Sequence, residues 1–481
     1  MKTVQQYIDE TPFWSDGTNV PDPQMTRMQW RIWWLATAGK FFEGLVVFMT
    51  GVALPLIVLE FQLNNVERGM IAAATLAGIL VGATALGGLA DLLGRKQMFI
   101  AEMAIFTLFL VLVSIAPSFF WLVVFLFGMG LALGCDYPTA HLVISESIPS
   151  AMRGRLVLSA FGFQAVGALA GTALGFVILS SRESVGDWRL MFSSAIVPAL
   201  LVLIGRFFIP QSSHWLVAQG RISEAERETQ RLLHREPRYP KAVKLDSGHL
   251  GSRASRPQAP RTKLFQGKNR RATILAAVPW FLQDLSTYGI GIFTPTILAA
   301  TIGASSDQAR NLAGVIHNDM LAAKGTALID VLLIVGILAA VLLADRVGRI
   351  RLQIWGFLGC AAGLLLAALS NHVGSAAKTG LVFGGFMIFN FMTNAGPNAM
   401  TYLIAGEVFP TSIRGLGAGF AASFAKIGAV LTSFFFPFLL HSLGTTTLLC
   451  LLAGASLLGA WITRQFAIET TGVNLESIGL D

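Results

Sequence analysis

Charged residues are scarce in this chain of 481 residues, because Asp, Glu, Lys and Arg together make up only 13% of it. Soluble domains carry roughly twice that share, which argues against a water-soluble globular protein. Cysteine is rarer still, and Cys135, Cys360 and Cys450 all lie inside apolar runs. Neither a disulfide framework nor a cysteine metal site is therefore expected.

Sequence motifs for enzymatic chemistry are also missing. There is no Gly-x-x-x-x-Gly-Lys-Ser/Thr loop for nucleotide phosphates, so ATP hydrolysis is not expected. No cluster of metal ligands and no nucleophile–base pair stands out, and His141 and His317 are isolated. No short apolar segment with a cleavage site precedes the first long apolar run, so no signal peptide is predicted. We expect neither enzymatic activity nor a cofactor nor a metal.

Apolar residues are in excess: 54% of the chain is hydrophobic and the mean hydropathy is +0.64. Apolar runs of 18 residues or more recur, and each can cross about 30 Å of hydrocarbon as a helix. The predicted fold class is an all-α membrane protein with twelve transmembrane helices in two six-helix halves. The twelve runs are centred near residues 45, 79, 107, 131, 168, 199, 287, 335, 361, 391, 427 and 453.

The basic excess is concentrated in one central segment. Between Gln211 and Arg271 there are 14 Lys and Arg residues against 5 Asp and Glu residues, which accounts for the whole net charge of +8. Smaller basic clusters begin at Arg95, Arg153 and Arg346, on the same side if the spans alternate. The positive-inside rule then predicts an inner or plasma membrane protein with both termini cytoplasmic. A nucleic-acid partner is not expected. Binding of anionic lipid headgroups is a less favoured interpretation of the basic segment than its role in setting the orientation.

The central segment divides the chain into two halves. We predict a cytoplasmic N-terminal segment 1–30, a six-helix half 31–210, a cytoplasmic basic linker 211–271, a second six-helix half 272–466 and a cytoplasmic tail 467–481.

The two halves repeat two short motifs, which indicates duplication. Asp-x-x-Gly-Arg follows the second and the eighth span, and a Glu followed seven residues later by Arg-Gly closes the fourth and the tenth. These residues can anchor helix ends in the headgroup zone. Pairs of Asp and Arg near helix ends are also predicted gates that form in one conformation and break in the other. The motif residues are Asp91, Gly94, Arg95, Glu146 and Arg153 in the first half, and Asp345, Gly348, Arg349, Glu407 and Arg414 in the second.

Twelve spans in two halves with these repeated loops resemble the major facilitator superfamily. The segments "IPQSSHWLVAQGRISEAE" and "ETTGVNLESI" resemble its sugar-porter-like branch. The resemblance covers nearly the whole chain and implies a transporter that rocks between outward-open and inward-open states. It does not by itself identify the substrate.

Polar residues recur at similar depth inside spans of both halves. Asp136 lies ten residues before the end of the fourth span, about 15 Å along a helix. Gln164 lies at comparable depth in the fifth span. In the seventh span Trp280, Asp284 and Tyr288 follow each other at i, i+4 and i+8, so they share one helix face.

Further polar residues come from the first, tenth and eleventh spans. Lys40 and Glu43 are three residues apart, Asn394 and Asn398 four apart, and Lys426 stands alone. Mutual hydrogen bonding of buried polar groups explains a pair such as Lys40 and Glu43. Polar groups from both halves at one depth favour a substrate site at the midplane between the halves.

Several of these segments resemble the phosphate:proton symporter family: "GCDYPTAH", "FGFQAVG", "WFLQDLSTYG", "AGPN" and "FAASFAKIGA". We infer proton coupling through Asp136, which the resemblance implies, and through the acids Asp284 and Glu43. Val46 stands where a second acid is usual in the family's first span, and Thr139-Ala140-His141 also departs from the family pattern. The resemblance implies an anion site formed by Tyr137, Gln164, Trp280, Asp284, Tyr288, Asn398 and Lys426.

The predicted function is proton-coupled import of a small anion by alternating access, with inorganic phosphate as the favoured substrate. A proton would neutralise a cavity acid, because an ionised carboxylate facing an anion at low dielectric repels it. The first alternative is a proton-coupled carrier of an organic anion, an organophosphate or a sugar. The second is a non-transporting membrane sensor on a carrier scaffold. Sodium coupling is less favoured than proton coupling, and the chain is expected to function as a monomer.

Overall fold

The computed structural model describes residues 2–10, 25–86, 89–182, 184–234, 243–245, 264–303, 312–410 and 413–471. Within these ranges the chain forms helices joined by short connections and no β-strand. Nine of the described helices are long and apolar enough to cross a membrane.

The first half and the linker contain eleven helices in the described ranges. A π-helical turn, Gly82–Leu86, extends the third of them, and the sixth span is divided into two pieces. The helices are α1 (Val4–Asp9), α2 (Arg27–Phe61), α3 (Asn65–Val81), α4 (Leu89–Leu93), α5 (Arg95–Ser114), α6 (Phe119–Ser147), α7 (Ser150–Ser181), α8 (Asp187–Ser194), α9 (Ile196–Phe207), α10 (Ser213–Ala218) and α11 (Ile222–Leu233).

The second half contains six α-helices in the described ranges, and a 3-10 turn, Leu369–His372, follows the third of them. They are α12 (Gly267–Gly303), α13 (Leu312–Val347), α14 (Arg349–Ala368), α15 (Ser375–Ala395), α16 (Pro397–Glu407) and α17 (Arg414–Gln465). Helix α17 bends at Gly444, where φ is 76°, and so forms two spans. With α15 and α16 as one interrupted span, each half of the described chain makes six crossings.

The N-terminus and the linker lie on the same face of the molecule. Thr26 and Gln29 form a capping box that starts α2. The Thr26 hydroxyl also donates to the Leu232 carbonyl of α11 at 2.7 Å. In the second half, Arg271 at the start of α12 donates to the Ala467 carbonyl beyond α17 at 2.7 Å. We call this side the linker face and the opposite side the far face.

The duplicated Asp-x-x-Gly-Arg turns have matching backbone conformations. Gly94 has φ 98° and ψ 146°, and Gly348 has φ 97° and ψ 148°. Each precedes the first residue of a membrane-length helix, α5 or α14. A positive φ of this size strains residues other than glycine. The conformation therefore explains why both turns carry glycine at the same place.

The two halves are tightly packed toward the far face. Gly51 of α2 lies against the backbone of Ile292 of α12, where an added Cβ would stand 3.0 Å from the carbonyl carbon. Gly69 of α3 lies in the same way against Phe434 of α17, with a corresponding distance of 3.1 Å. Backbones that approach this closely leave no path between these helix pairs.

Toward the linker face, three glycines of the second half are exposed rather than packed. Gly406 at the end of α16, and Gly415 and Gly419 at the start of α17, have open space where a Cβ would project. The halves still meet where Phe161 of α7 stacks on Tyr402 of α16, with ring centroids 4.7 Å apart and planes at 16°. The close contacts of a glycine with the backbone of the other half therefore lie toward the far face.

Candidate functional site

Two lysines and two acids meet half-way between the faces. Lys426 Nζ of α17 donates to Asp284 Oδ2 of α12 at 3.1 Å and lies 3.6 Å from Glu43 Oε1 of α2. Glu43 also forms an ion pair with Lys40 on its own helix. When all four groups are ionised, this cluster carries no net charge.

The Tyr288 hydroxyl joins this cluster to the first half. It donates to Glu43 Oε1 at 2.9 Å and accepts from Lys426 Nζ at 2.7 Å. Gln164 Nε2 of α7 donates to the same hydroxyl at 2.9 Å. Side chains from α2, α7, α12 and α17 are thus held in one network that crosses between the halves.

A separate chain of hydrogen-bonded amides lies beside this network in the second half. Gln283 Nε2 donates to Asn398 Oδ1 at 3.0 Å, and Asn398 Nδ2 donates to Asn394 Oδ1 at 2.6 Å. The span is interrupted at Gly396, whose φ of −122° and ψ of −102° separate α15 from α16. The interruption lies between the two asparagines, at the point where their side chains meet.

Two adjoining cavities surround this network. The first is lined by both lysines, Asp284, Trp280 and Phe161, and the second by Thr287, Leu333 and Asn394. Gln164, Tyr288 and Asn398 line both cavities. Buried ammonium, amide and hydroxyl donors around one space form a site that can bind an anion. Trp280 also lies edge-on to Tyr402, so the aromatic contact between the halves adjoins the first cavity.

Asp136 is held away from these cavities by an arginine. Arg206 Nη2 of α9 is 2.6 Å from Asp136 Oδ1, and both residues are buried. The Asp136 carboxyl fills the space that a side chain at Gly39 would need. Asp136 and Lys40 line a third cavity with His141 and Tyr402, which places Asp136 one cavity away from the charged cluster.

The predicted gate residues form ion pairs inside each half rather than between the halves. Arg95 Nη2 is 3.2 Å from Glu146, and Arg349 Nε is 3.0 Å from Glu407. Arg349 also pairs with Asp345 at 2.9 Å. These contacts join neighbouring helices of the same half, so their role as conformational gates stays a prediction.

The chain segments that follow the sixth and twelfth spans complete these contacts in equivalent ways. Gln211 accepts from the Lys96 N–H at 3.0 Å, and Glu469 accepts from the Arg349 N–H at 3.1 Å. Burial opposes ionisation of Glu469, but hydrogen bonds from the Thr471 hydroxyl and from backbone N–H groups lower its pKa below the ordinary glutamate value. The side-chain amide of Gln211 thus occupies the position in the first half that the carboxylate of Glu469 occupies in the second half.

The remaining predicted gate residues have separate surroundings. Arg414 donates to the Phe409 carbonyl at 3.1 Å. Arg153 lies in the first turn of α7. The side chains of Asp91 and Tyr137 lie outside the described part of the structure.

Residues 32–481 match the family profile described as "Sugar (and other) transporter". The chain belongs to this transporter family. Among curated relatives in the family, the inner membrane metabolite transport protein YgcS of Escherichia coli is 29% identical, with 95% of each chain covered. The niacin transporter NiaP of Acinetobacter baylyi is 26% identical, covering 94% of this chain and 97% of its own.

Two further similarities concern the substrate and the fold. A Schizosaccharomyces pombe protein, provisionally named inorganic phosphate transporter C1683.01, is 26% identical, covering 94% of this chain and 88% of its own. The partially occluded inward-open structure of the xylose transporter XylE of Escherichia coli matches with a TM-score of 0.72 at 19% identity. That match covers 93% of this chain and all of XylE, and it shows the fold alone.

The family and the fold confirm the predicted class of protein. This sugar (and other) transporter family member is a multi-pass, all-α membrane protein of the major facilitator type. The family consists of transporters, so the expectation that the chain is not an enzyme is also confirmed. Proton coupling and the choice of phosphate are not decided by membership of this family.

Sequence reasoning missed two buried charged residues of the first half. Arg206 pairs with Asp136, and Glu102 Oε1 of α5 accepts from the Thr139 hydroxyl at 2.6 Å. The signal was available, because each is an isolated charge in an apolar run, "LLVLIGRFF" for Arg206 and "FIAEMAIF" for Glu102.

Proposed function

We propose that the protein is a proton-coupled symporter that imports a small anion, with inorganic phosphate as the favoured substrate. The observation that carries the proposal is the position of Lys426. Its ammonium group is buried between the halves and is surrounded by the donors Gln164, Asn398, Tyr288 and Trp280. A neutral solute does not require a buried cation, whereas an anion does.

The charge balance of the cluster supports a coupled proton. Lys40, Lys426, Glu43 and Asp284 together are neutral when ionised, so an incoming anion leaves the site with an excess negative charge. Lys426 Nζ is already 3.1 Å from Asp284, and repulsion between that carboxylate and an anion is strong at low dielectric. A proton on Asp284 or Glu43 removes one negative charge and frees the lysine to bind the anion.

Asp136 is proposed as a further proton-coupling residue. Its carboxyl and Lys40 line the same cavity, and Lys40 pairs with Glu43 in the central cluster. A change in the charge of Asp136 alters the field at Lys40 and hence the strength of the Lys40–Glu43 pair. The pair with Arg206 provides the counter-charge when Asp136 is ionised.

We infer the state in the transport cycle from the close backbone contacts between the halves at the far face. We infer from the basic linker that the linker face is cytoplasmic in an inner or plasma membrane, so the structure corresponds to the anion-releasing side of the cycle. Closure at the linker face and opening at the far face then return the site to the outside. The protein is proposed to work as a monomer, because each half supplies part of one site.

The names of two relatives support an anionic substrate, one inorganic and one organic. One relative is provisionally named for inorganic phosphate, and another transports niacin, whose carboxylate is also an anion. An organic anion is therefore the nearest alternative substrate. The similarity to XylE supports a sugar as the next alternative, although the buried Lys426 favours an anion.

The test is uptake of labelled phosphate into proteoliposomes under an inward proton gradient. Lys426→Gln should lower the uptake about 10- to 150-fold, because a hydrogen bond to a charged group contributes about 1.5–3 kcal/mol. Lys324→Gln is the matched control, because Lys324 is an exposed lysine of α13. Its uptake should stay within about twofold of wild type, as is usual for an exposed position.

Other outcomes separate the alternatives. Nicotinate uptake that needs Lys426, without phosphate uptake, identifies an organic-anion carrier. Sugar uptake that survives Lys426→Gln contradicts the anion site. Binding of any of these solutes without flux favours the sensor on a carrier scaffold.

A further inference from the structure

Asp330 is a buried acid that the proposed anion site does not include. It lies half-way along α13 and is 1% exposed. Its Oδ2 accepts from the Thr172 hydroxyl of α7 at 3.1 Å, and its Oδ1 accepts from Asn390 Nδ2 of α15 at 3.1 Å. Thr172 belongs to the first half and Asp330 to the second, so the first bond joins the halves.

The position of Asp330 links it to both the cavity and the far face. Leu333, one turn further along α13, lines the second cavity and accepts through its carbonyl from Asn394 at 2.9 Å. Ala168, one turn before Thr172, lines the same cavity. Asp330 therefore lies just beyond the cavity on its far-face side, where the packed halves separate it from far-side water.

In the described ranges, no basic side chain lies within ion-pair distance of Asp330, so no cation neutralises it there. Between Leu156 and Ser181, α7 has no titratable side chain. On α13 itself the nearest charged residues in the span are Asp319 and Lys324. Away from their linker-face ends, the other helices packed against α13 carry Lys40, Glu43 and Glu60 on α2, Asp284 and Tyr288 on α12, Cys360 on α14, Lys378 on α15 and Tyr402 on α16.

The hydrogen bonds of Thr172 accommodate both protonation states of Asp330. The Thr172 hydroxyl has one hydrogen but lies 3.1 Å from the Ala168 carbonyl as well as from Asp330 Oδ2. With Asp330 ionised, the hydrogen must go to the carboxylate. With Asp330 neutral, its O–H can donate to Thr172 while Thr172 donates to Ala168. The neutral form avoids the large cost of burying a carboxylate without a cation.

We propose that Asp330 is a proton-binding site that is loaded from the far side as the two halves close over the substrate. When the far face opens, the Thr172–Asp330 bond separates and water solvates the carboxylate. On closure a hydronium ion gives its proton to Asp330 and leaves as water. Far-side protons thereby favour the far-closed state. The proposal requires alternating access, but it does not depend on the identity of the transported anion.

The test measures the far-face opening directly, with spin labels on Ser180→Cys of α7 and His372→Cys in the 3-10 turn after α14. Both positions are exposed and belong to opposite halves. Cys450→Ser removes an exposed native cysteine, and Cys135 and Cys360 are buried. The ratio of the far-closed population to the far-open population should rise as the pH is lowered from 8 to 5. For a single linked proton the rise is up to about tenfold per pH unit.

Asp330→Asn mimics the neutral acid and should remain mostly far-closed, with the pH response of the ratio reduced at least about fivefold. Thr172→Val removes the cross-half partner and should lower the closed fraction. A matched control, Thr326→Val for a buried threonine of α13, should keep the wild-type response.

Two results overturn the proposal: a wild-type ratio that does not change with pH, or an unchanged response in Asp330→Asn. A normal pH response of the labels together with absent phosphate uptake leaves the Asp330 proposal standing and contradicts only the proposed substrate.

Discussion

Substitution of Gly51 by alanine should shift this transporter toward the state that is open at the far face. An added Cβ would meet the carbonyl oxygen of Ile292 first, and it would lie 3.0 Å from the carbonyl carbon behind that oxygen. This is about 0.5–1 Å closer than the roughly 3.5–4.0 Å separation at which carbon atoms attract each other. The neighbouring atoms belong to the backbone, so a rotamer change cannot relieve the contact. Helices α2 and α12 must move apart.

The size of the shift follows from the cost of overpacking. Inserting a methyl group into a well-packed interface costs about 1–3 kcal/mol. The cost applies only where α2 and α12 are packed together, so it changes the equilibrium between far-closed and far-open states by about 5- to 150-fold. Because the cycle needs both states, a shift of this size should also slow net uptake.

The assay is the distance between spin labels at positions 180 and 372, with uptake measured in parallel. Gly51→Ala should increase the longer-distance population. Gly406→Ala is the matched control, because no atom lies within 4 Å of its added Cβ. If Gly51→Ala shows wild-type distances and wild-type uptake, the reasoning about far-face packing is refuted.

Two further predictions concern buried and tail charges. Arg206→Met should strongly lower the thermal midpoint of the purified protein, since removing one partner of a buried ion pair costs about 3–5 kcal/mol. Adding Asp136→Asn should restore much of the lost midpoint. An unchanged midpoint in Arg206→Met alone would contradict the pairing. Glu469 should stabilise the fold fully above the ordinary glutamate pKa of 4.5, and this contribution should disappear as the pH falls through its lowered pKa. Midpoints of Glu469→Gln should therefore approach wild type in acid, and a constant gap between the two proteins would contradict the assignment.

Features that depend on local spacing could be predicted from the sequence. The two Asp-x-x-Gly-Arg motifs fold into turns with nearly equal φ and ψ, because the same short sequence meets the same helix start in each half. The spacing of Trp280, Asp284 and Tyr288 also places all three beside the first cavity. Helical geometry alone determines which of these side chains share a face.

The partners of buried charges could not be predicted in this way. Asp136 pairs with Arg206 from a span some seventy residues away, and Asp330 bonds to Thr172 of the other half. Such contacts depend on how the helices are arranged around each other, which hydropathy and spacing do not encode. The ion pairs of Arg95 and Arg349 show the same limit: Glu146 and Glu407 stood out as repeated motif residues, but their pairing with these arginines emerges only from the packing.

The most direct test of the central claim is calorimetric titration of the purified protein with inorganic phosphate in two buffers that differ in ionisation enthalpy. The difference in heat between the buffers counts the protons taken up as the anion binds. Proton-coupled anion binding predicts net proton uptake on binding, and loss of both binding and proton uptake in Lys426→Gln. Phosphate binding without proton uptake, or unchanged binding in Lys426→Gln, would contradict the account.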